Sequence, residues 1–144
     1  MNTGIEDGWL RNSWFCYRSA MTEGMTLRVE LFPTDVDAFV DFYTRVLRFE
    51  LEADRRPGYA EVVRGSTRIG GARASEHVDP QERAVPHGAE IVLEVDDLDR
   101  EHAAVVSAGW PAASGIEKQP WGLRDFRLFD PDGYYLRVTE RRAP

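Results

Sequence analysis

TLRVELFPTDVDAFVDFYTRVLRFEL, residues 26–51, begins with a period of two and continues with a period of 3.6. In its first part Leu27, Val29 and Leu31 alternate with Arg28, Glu30 and Phe32, the pattern of a strand with one buried face. Val36, Phe39, Val40, Tyr43, Val46 and Leu47 then recur at helical spacing, and Thr34 with Asp37 three residues on predicts the helix start. Beyond the helix, LRFELEAD, GYAEVVRG and STRIGGARA read as short strands joined by glycine-containing turns.

The same order returns later. AEIVLEV, residues 89–95, alternates again, Asp96 and Asp99 stand at a second helix start, and Leu98, His102, Val105 and Val106 supply its apolar stripe. AGWPAASG ends that helix with Gly109 and Pro111, after which come LRDFRLF, the turn DPDG and YYLRVTE. Asp35 and Asp97 hold matching places, a repeat of about 62 residues, enough for one strand, one helix and three strands. The expected organisation is therefore α+β: two tandem βαβββ modules, at 26–74 and 89–140, joined by a polar, proline-containing linker at 75–88. Residues 25–144 form the single domain, and residues 1–24, which hold neither period, read as an extension that is either loose or docked on a partner subunit.

Composition narrows the function classes. A chain of 144 residues is long enough to bury a core without covalent staples. The one cysteine, Cys16, excludes an internal disulfide framework and a cysteine-based zinc site, and points to a reducing, cytoplasmic location. No apolar run is long enough for a membrane span, and the N-terminus lacks the pattern of a signal peptide. A net charge of −7 opposes nucleic acid as a partner, since such binding depends on cations that neutralise phosphates.

FYTRVLRFEL after the first helix and PWGLRDFRLFDPDG before the last strand, set in two βαβββ modules, resemble the vicinal oxygen chelate superfamily of glyoxalases, extradiol dioxygenases and bleomycin-resistance proteins. EKQPWGLRDFRLFDPDG is most similar to the bleomycin-resistance, antibiotic-binding branch; Tyr134 departs from it, since an asparagine usually follows DPDG there. The resemblance implies curled half-barrel sheets with the helices outside. In enzymatic members it also implies a divalent metal held by His and Glu from the first and last strands of each module. Here those positions fall on Arg28, Glu90 and Arg137, while the fourth is left unplaced, because GSTRIGGA contains no carboxylate or imidazole.

A guanidinium stays protonated and has no lone pair to give, so Arg28 and Arg137 cannot coordinate a cation, and Glu90 alone would not hold one. The expectation is a metal-free protein without a cofactor, in which Arg28 and Arg137 flank Glu90 and close the site with the protein's own charges. His77 and His87 lie in the linker and His102 on a helix stripe, without the spacings that converge imidazoles on a metal. His102 reads as a histidine at the edge of the core.

Strand parity puts Glu30, Phe32, Glu94 and Tyr135 on the face away from the helices. The resemblance adds Tyr59 and Trp121 as aromatic positions lining a groove, and Glu61 shares parity with Tyr59. That wall is aromatic and acidic, suited to an aromatic or cationic small molecule such as an antibiotic. The resemblance implies a homodimer with grooves between subunits, and no nucleophile beside a base suggests catalysis. Metal-independent antibiotic sequestration is the reading, against a metal-dependent glyoxalase-like lyase, isomerase or dioxygenase that would need a different register at Arg28 and Arg137.

Overall fold

The computed structural model describes residues 27–74 and 89–141. The extension at 1–24 with Cys16, and the linker at 75–88 with His77 and His87, lie outside the described residues. The elements run β1 (Arg28–Leu31), α1 (Val36–Asp41), β2 (Glu50–Arg55), β3 (Tyr59–Arg64), β4 (Thr67–Ala72), β5 (Ile91–Val95), α2 (Leu98–Ser107), β6 (Glu117–Lys118), β7 (Arg124–Phe129) and β8 (Tyr135–Glu140). Two four-stranded sheets result, ordered β1-β4-β3-β2 and β5-β8-β7-β6, with the first and last strands of each module parallel and the other neighbours antiparallel. The sequence repeat is thus a repeat of topology. Neither sheet closes into a barrel.

Both helices start one residue later than the spacing predicts. Asp35 caps α1, its carboxylate accepting from the N–H groups of Asp37 and Ala38 at 2.9 and 3.2 Å. Asp97 caps α2 by accepting from Arg100 N–H at 3.0 Å. Thr34 is used elsewhere: its hydroxyl and its N–H both donate to Asp132 Oδ1 across the chain, at 2.6 and 2.8 Å. Beyond Asp41 the first helix widens into a π-helical turn, Phe42–Val46, where Thr44 Oγ1 donates back to the Val40 carbonyl. The wider turn buries Phe42, Tyr43 and Val46 together.

The core lies between the helices and the sheet faces they cover. Leu31, Phe39, Phe42, Tyr43, Ile69 and Val62 come from module one, and Leu98, Val105, Phe126, Leu128, Leu136 and Val138 from module two. Leu27, expected on this face, is 79% exposed because it precedes the first paired residue of β1. Gly71 explains how α1 approaches β4: a Cβ there would meet the Phe39 ring at 2.8 Å, so the helix seats on bare backbone. His102 packs edge-on against Phe126, with ring centroids 5.0 Å apart.

The modules meet through these elements. Phe42 packs on Trp110 at 4.8 Å, and Trp110 Nε1 donates to the Phe129 carbonyl. Tyr43 reaches the DPDG turn, donating from its hydroxyl to Asp130 Oδ2 at 3.3 Å. Tyr134, after that turn, accepts on its hydroxyl from the N–H of Phe32 at 3.1 Å, so it ties the end of β1 to module two. No helix among the described residues is long and apolar enough to cross a membrane.

Candidate functional site

Strand ladders decide which side chains meet on the sheet faces turned away from the helices. In module one Arg28 pairs with Arg68, which pairs with Val63; the next rung on that face is Glu30, Gly70 and Glu61. Gly70 therefore lies between two carboxylates. Having no side chain, it leaves the space that Glu30 fills, for a Cβ at Gly70 would stand 2.3 Å from Glu30 Oε2. Both carboxylates lean toward the guanidinium rung. Glu30 pairs with Arg28 at 2.7 Å, and Glu61 takes Arg28 at 3.2 Å, Arg68 through a shorter contact, and the Tyr59 hydroxyl at 3.2 Å.

Glu61 is only 4% exposed. Burial pushes its carboxyl up, but hydrogen bonds from Arg68 and Tyr59 and the charges of Arg68 and Arg28 outweigh burial and hold it below the usual carboxylate range. The Tyr59 hydroxyl moves the other way, raised first by burial and then by the Glu30 charge and its bond to Glu61. Glu30, Arg28, Glu61 and Arg68 form a chain of alternating charge linked by three ion pairs. The module-one wall is accordingly charge-paired, where composition and parity led us to expect an acidic one.

The position that sequence reading left unplaced lies on the last strand of module one. By the repeat of about 62 residues Val92, which pairs with Arg137, matches Glu30, which pairs with Gly70; Gly70 therefore holds the place of Arg137, and Arg68 stands beside Arg28 on the neighbouring rung of the same face. The expected flanking of Glu90 by Arg28 and Arg137 is only half present. Arg137 pairs with Glu90 at 3.4 Å, whereas Arg28 lies on the other sheet and takes Glu30 and Glu61. The cause is topological, because β1 and β5 belong to separate sheets.

On the module-two face, Val92, Arg137 and Arg127 share one rung, Glu94, Thr139 and Asp125 the next, and Tyr135 opposes Phe129. The Arg137 guanidinium carbon lies 5.6 Å from the centre of the Trp121 ring, a cation–π contact that leaves Trp121 48% exposed. Tyr135 and Phe129 stack at 5.3 Å. Asp125 is fully buried, accepting from Gln119 Nε2 at 2.8 Å and pairing with Arg127 at 3.3 Å. Glu94 is exposed on β5, and Phe32 is exposed just beyond β1.

The predicted residues thus fall into two groups. Arg28, Glu30, Tyr59 and Glu61 meet on sheet one, and Glu90, Arg137 and Trp121 meet on sheet two, with Tyr135 beside Phe129. These donors do not fit a divalent cation: of the four positions that the resemblance equates with ligands, Arg28 and Arg137 carry guanidinium groups and Gly70 has no side chain, and the nearby carboxylates are paired with guanidinium groups. No three His, Cys, Asp or Glu side chains converge as a ligand set among the described residues.

Solved structures share this fold. A bleomycin-binding protein from bleomycin-producing Streptomyces verticillus, solved with copper(II)-bleomycin, is 27% identical with a TM-score of 0.66, the match covering 85% of this chain and 100% of that one. TioX from Micromonospora sp. ML1 is 25% identical with a TM-score of 0.67, over 83% of this chain and 100% of the other. A lactoylglutathione lyase from Agrobacterium tumefaciens, at 19% identity and a TM-score of 0.63 over 83% and 95% of the two chains, shares the fold alone. No curated protein matches in sequence. The family model described as Glyoxalase/Bleomycin resistance protein/Dioxygenase superfamily matches residues 26–138, and the chain belongs to that superfamily.

Proposed function

We propose that the protein binds a small aromatic or cationic molecule, of the antibiotic type, without a metal ion and without transforming it. The observation that carries this reading is the arginine occupancy of two positions where the resemblance would put metal ligands: Arg28, bridged by Glu61 to its neighbour Arg68, and Arg137 on Glu90 and Trp121. Guanidinium groups so placed offer donors and planar faces but no metal ligand. Trp121, Tyr59, Phe32 and Tyr135 supply stacking surface, Glu30 and Glu94 supply acceptors for ligand amines, and the buried Glu61 holds Arg28, Arg68 and Tyr59 in place. Glu90 and Arg137 form the floor on sheet two, and Arg28 that on sheet one.

A homodimer belongs to the same proposal. Phe32, Val92, Trp121 and Phe129 are exposed apolar side chains on or beside the open faces, and a second copy covering them would turn each face into a groove. The likeness to the bleomycin-binding protein supports the small-molecule part of this reading.

The test has two arms. Elemental analysis is run on protein purified without chelator and offered Zn, Ni, Mn and Fe(II) in turn; about one retained equivalent per subunit would overturn the metal-free reading and favour a lyase or dioxygenase. Copper(II)-bleomycin is then titrated against tryptophan fluorescence, with wild type and Trp121→Ala compared by calorimetry. Saturable binding weakened about tenfold by the substitution is expected from loss of one stacking partner.

A further inference from the structure

A cleft of about 410 Å³ lies where the β3–β4 turn and the exit of the first helix meet β5 and the start of α2. It is separate from the rungs that carry Arg28, Glu61, Arg137 and Trp121, none of which lines it. Its volume lies in the range of small-molecule sites. Phe49, Leu93, Val95 and Val138 give it apolar walls, and Arg48, Arg64, Arg100 and Arg141 bring four guanidinium groups to it.

The charges are not all committed. Glu101 of α2 accepts from Arg64 at 2.5 and 3.0 Å and from Arg48 at 2.5 Å, so one carboxylate serves two cations. Burial raises the Glu101 carboxyl, but the bonds from Arg64 and Arg48 outweigh it, and Glu101 stays anionic below the usual range. Asp96 is paired with Arg141 at 3.3 Å and Asp97 caps α2. That leaves Glu94 as the acid and Arg100 as the base of the lining without an ion pair among the described residues, together with the excess positive charge of the Arg48–Glu101–Arg64 group.

Arg48 is placed by the end of the first helix. Its φ of 58° is the left-handed conformation of a helix stop, directly after Leu47, with Phe49 N–H donating back to the Tyr43 carbonyl at 2.9 Å. Its Nη2 is held by Glu101 and its Nε is buried, yet the side chain stays 34% exposed at the cleft. The open part of this guanidinium and Arg100, unpaired among the described residues, offer donors to an acceptor that enters the cleft.

We infer that this cleft is a second binding site, for an amphipathic monoanion: a carboxylate that meets Arg48 and Arg100, with an apolar body along Phe49, Leu93 and Val95. Octanoate is the probe, because an aliphatic tail gains nothing from stacking on Trp121. It is titrated calorimetrically into the full chain at low salt, beside 1-octanol and octylammonium. The variants are Arg100→Gln, at an exposed helix position, and Arg48→Gly, which suits the left-handed backbone and so keeps the fold. Saturable octanoate binding at one site per chain, weakened about tenfold by each substitution and unchanged in Trp121→Ala, is the expected result. The inference is overturned by absence of saturable binding, by equal affinity for octanol or octylammonium, or by loss in Trp121→Ala with both arginine variants unaffected. Because Trp121→Ala reads the groove and the arginine variants read the cleft, failure of one site does not imply failure of the other.

Discussion

Replacing Asp130 by Asn should change how the stability of the fold depends on pH. Asp130 is 5% exposed and opens the DPDG turn; its Oδ1 accepts from the N–H groups of Asp132 and Tyr134, each at 2.9 Å, and its Oδ2 from Tyr43. Burial pushes its carboxyl from 3.8 up to about 6, against the pull of the two backbone donors. The folded state therefore holds this proton more tightly than the unfolded chain does. Stability from this group is fully present below about pH 4 and is lost as pH rises through about 6. At about 1.4 kcal/mol per unit, the window of about two units amounts to about 3 kcal/mol, of which about 2 kcal/mol falls between pH 4.5 and 7.5. Asn keeps an acceptor for the turn and does not titrate. Urea unfolding of both proteins at pH 4.5, 5.5, 6.5 and 7.5 cancels the other carboxylates when the difference is taken. Wild type should lose about 2 kcal/mol relative to Asp130→Asn across that range. A difference flat to within about 0.5 kcal/mol, or one of opposite slope, would refute the claim that burial dominates here.

Two glycines on β4 should respond differently to the same substitution. Gly71→Ala drives a methyl into the Phe39 ring on packed backbone and should cost about 1–3 kcal/mol, whereas Gly70→Ala meets only the end of the Glu30 side chain and should cost under about 1 kcal/mol while disturbing ligand binding; thermal unfolding and a bleomycin titration on both variants check this. Glu101→Gln leaves Arg48 and Arg64 facing each other without a carboxylate and should destabilise by about 1–2 kcal/mol, a value reduced from that of a buried pair because both guanidinium groups are about one-third exposed. The loss should shrink as salt is added, and a salt-independent loss would mean that packing, not charge, is what Glu101 contributes.

Much of this fold is written in local periodicity. The alternation in 26–32 and 89–95 and the helical stripes beyond it fixed two like modules, because a strand or helix with one buried face must show its period whatever lies across from it. What escaped was whatever depends on a distant partner. Thr34 looks like a helix cap until Asp132, nearly a hundred residues on, takes its hydroxyl, leaving Asp35 to do the capping. Arg68 was visible as one member of an alternating strand, but whether Arg68 or Gly70 stands beside Arg28 is a matter of register, which a single strand does not specify. The pairing of Glu90 with Arg137 but not with Arg28 has the same origin. The inter-module cleft gives no local signal, since its walls come from four separate segments that only the fold brings together.

The two open faces divide the work of a binding site unequally, and the division follows from one ladder position. With Gly70 between Glu30 and Glu61, both carboxylates reach the Arg28–Arg68 rung, and sheet one pairs most of its charge internally across β1, β3 and β4, with Glu30 Oε2 left without a hydrogen-bond partner among the described residues. A cross-strand tie of this kind does mechanically what a metal bridging the first and last strands would do, holding β1 against β4. Sheet two has no equivalent chain of ion pairs across its first and last strands among the described residues. Arg137 has one carboxylate at 3.4 Å and otherwise faces the Trp121 ring, while Tyr135, Phe129 and Val92 leave apolar surface beside it. Under the proposed role a flat ligand gains most by stacking on sheet two, where little has to be displaced, and meets on sheet one charges that are mostly paired with each other. Selectivity then rests on shape and aromatic area more than on net charge, so acetylating a ligand amine should weaken binding less than removing its heteroaromatic ring. The reverse ranking in a titration of paired analogues would place the recognising charge on Glu30, Glu61 or Glu94 and return the site to the acidic wall that the composition suggests.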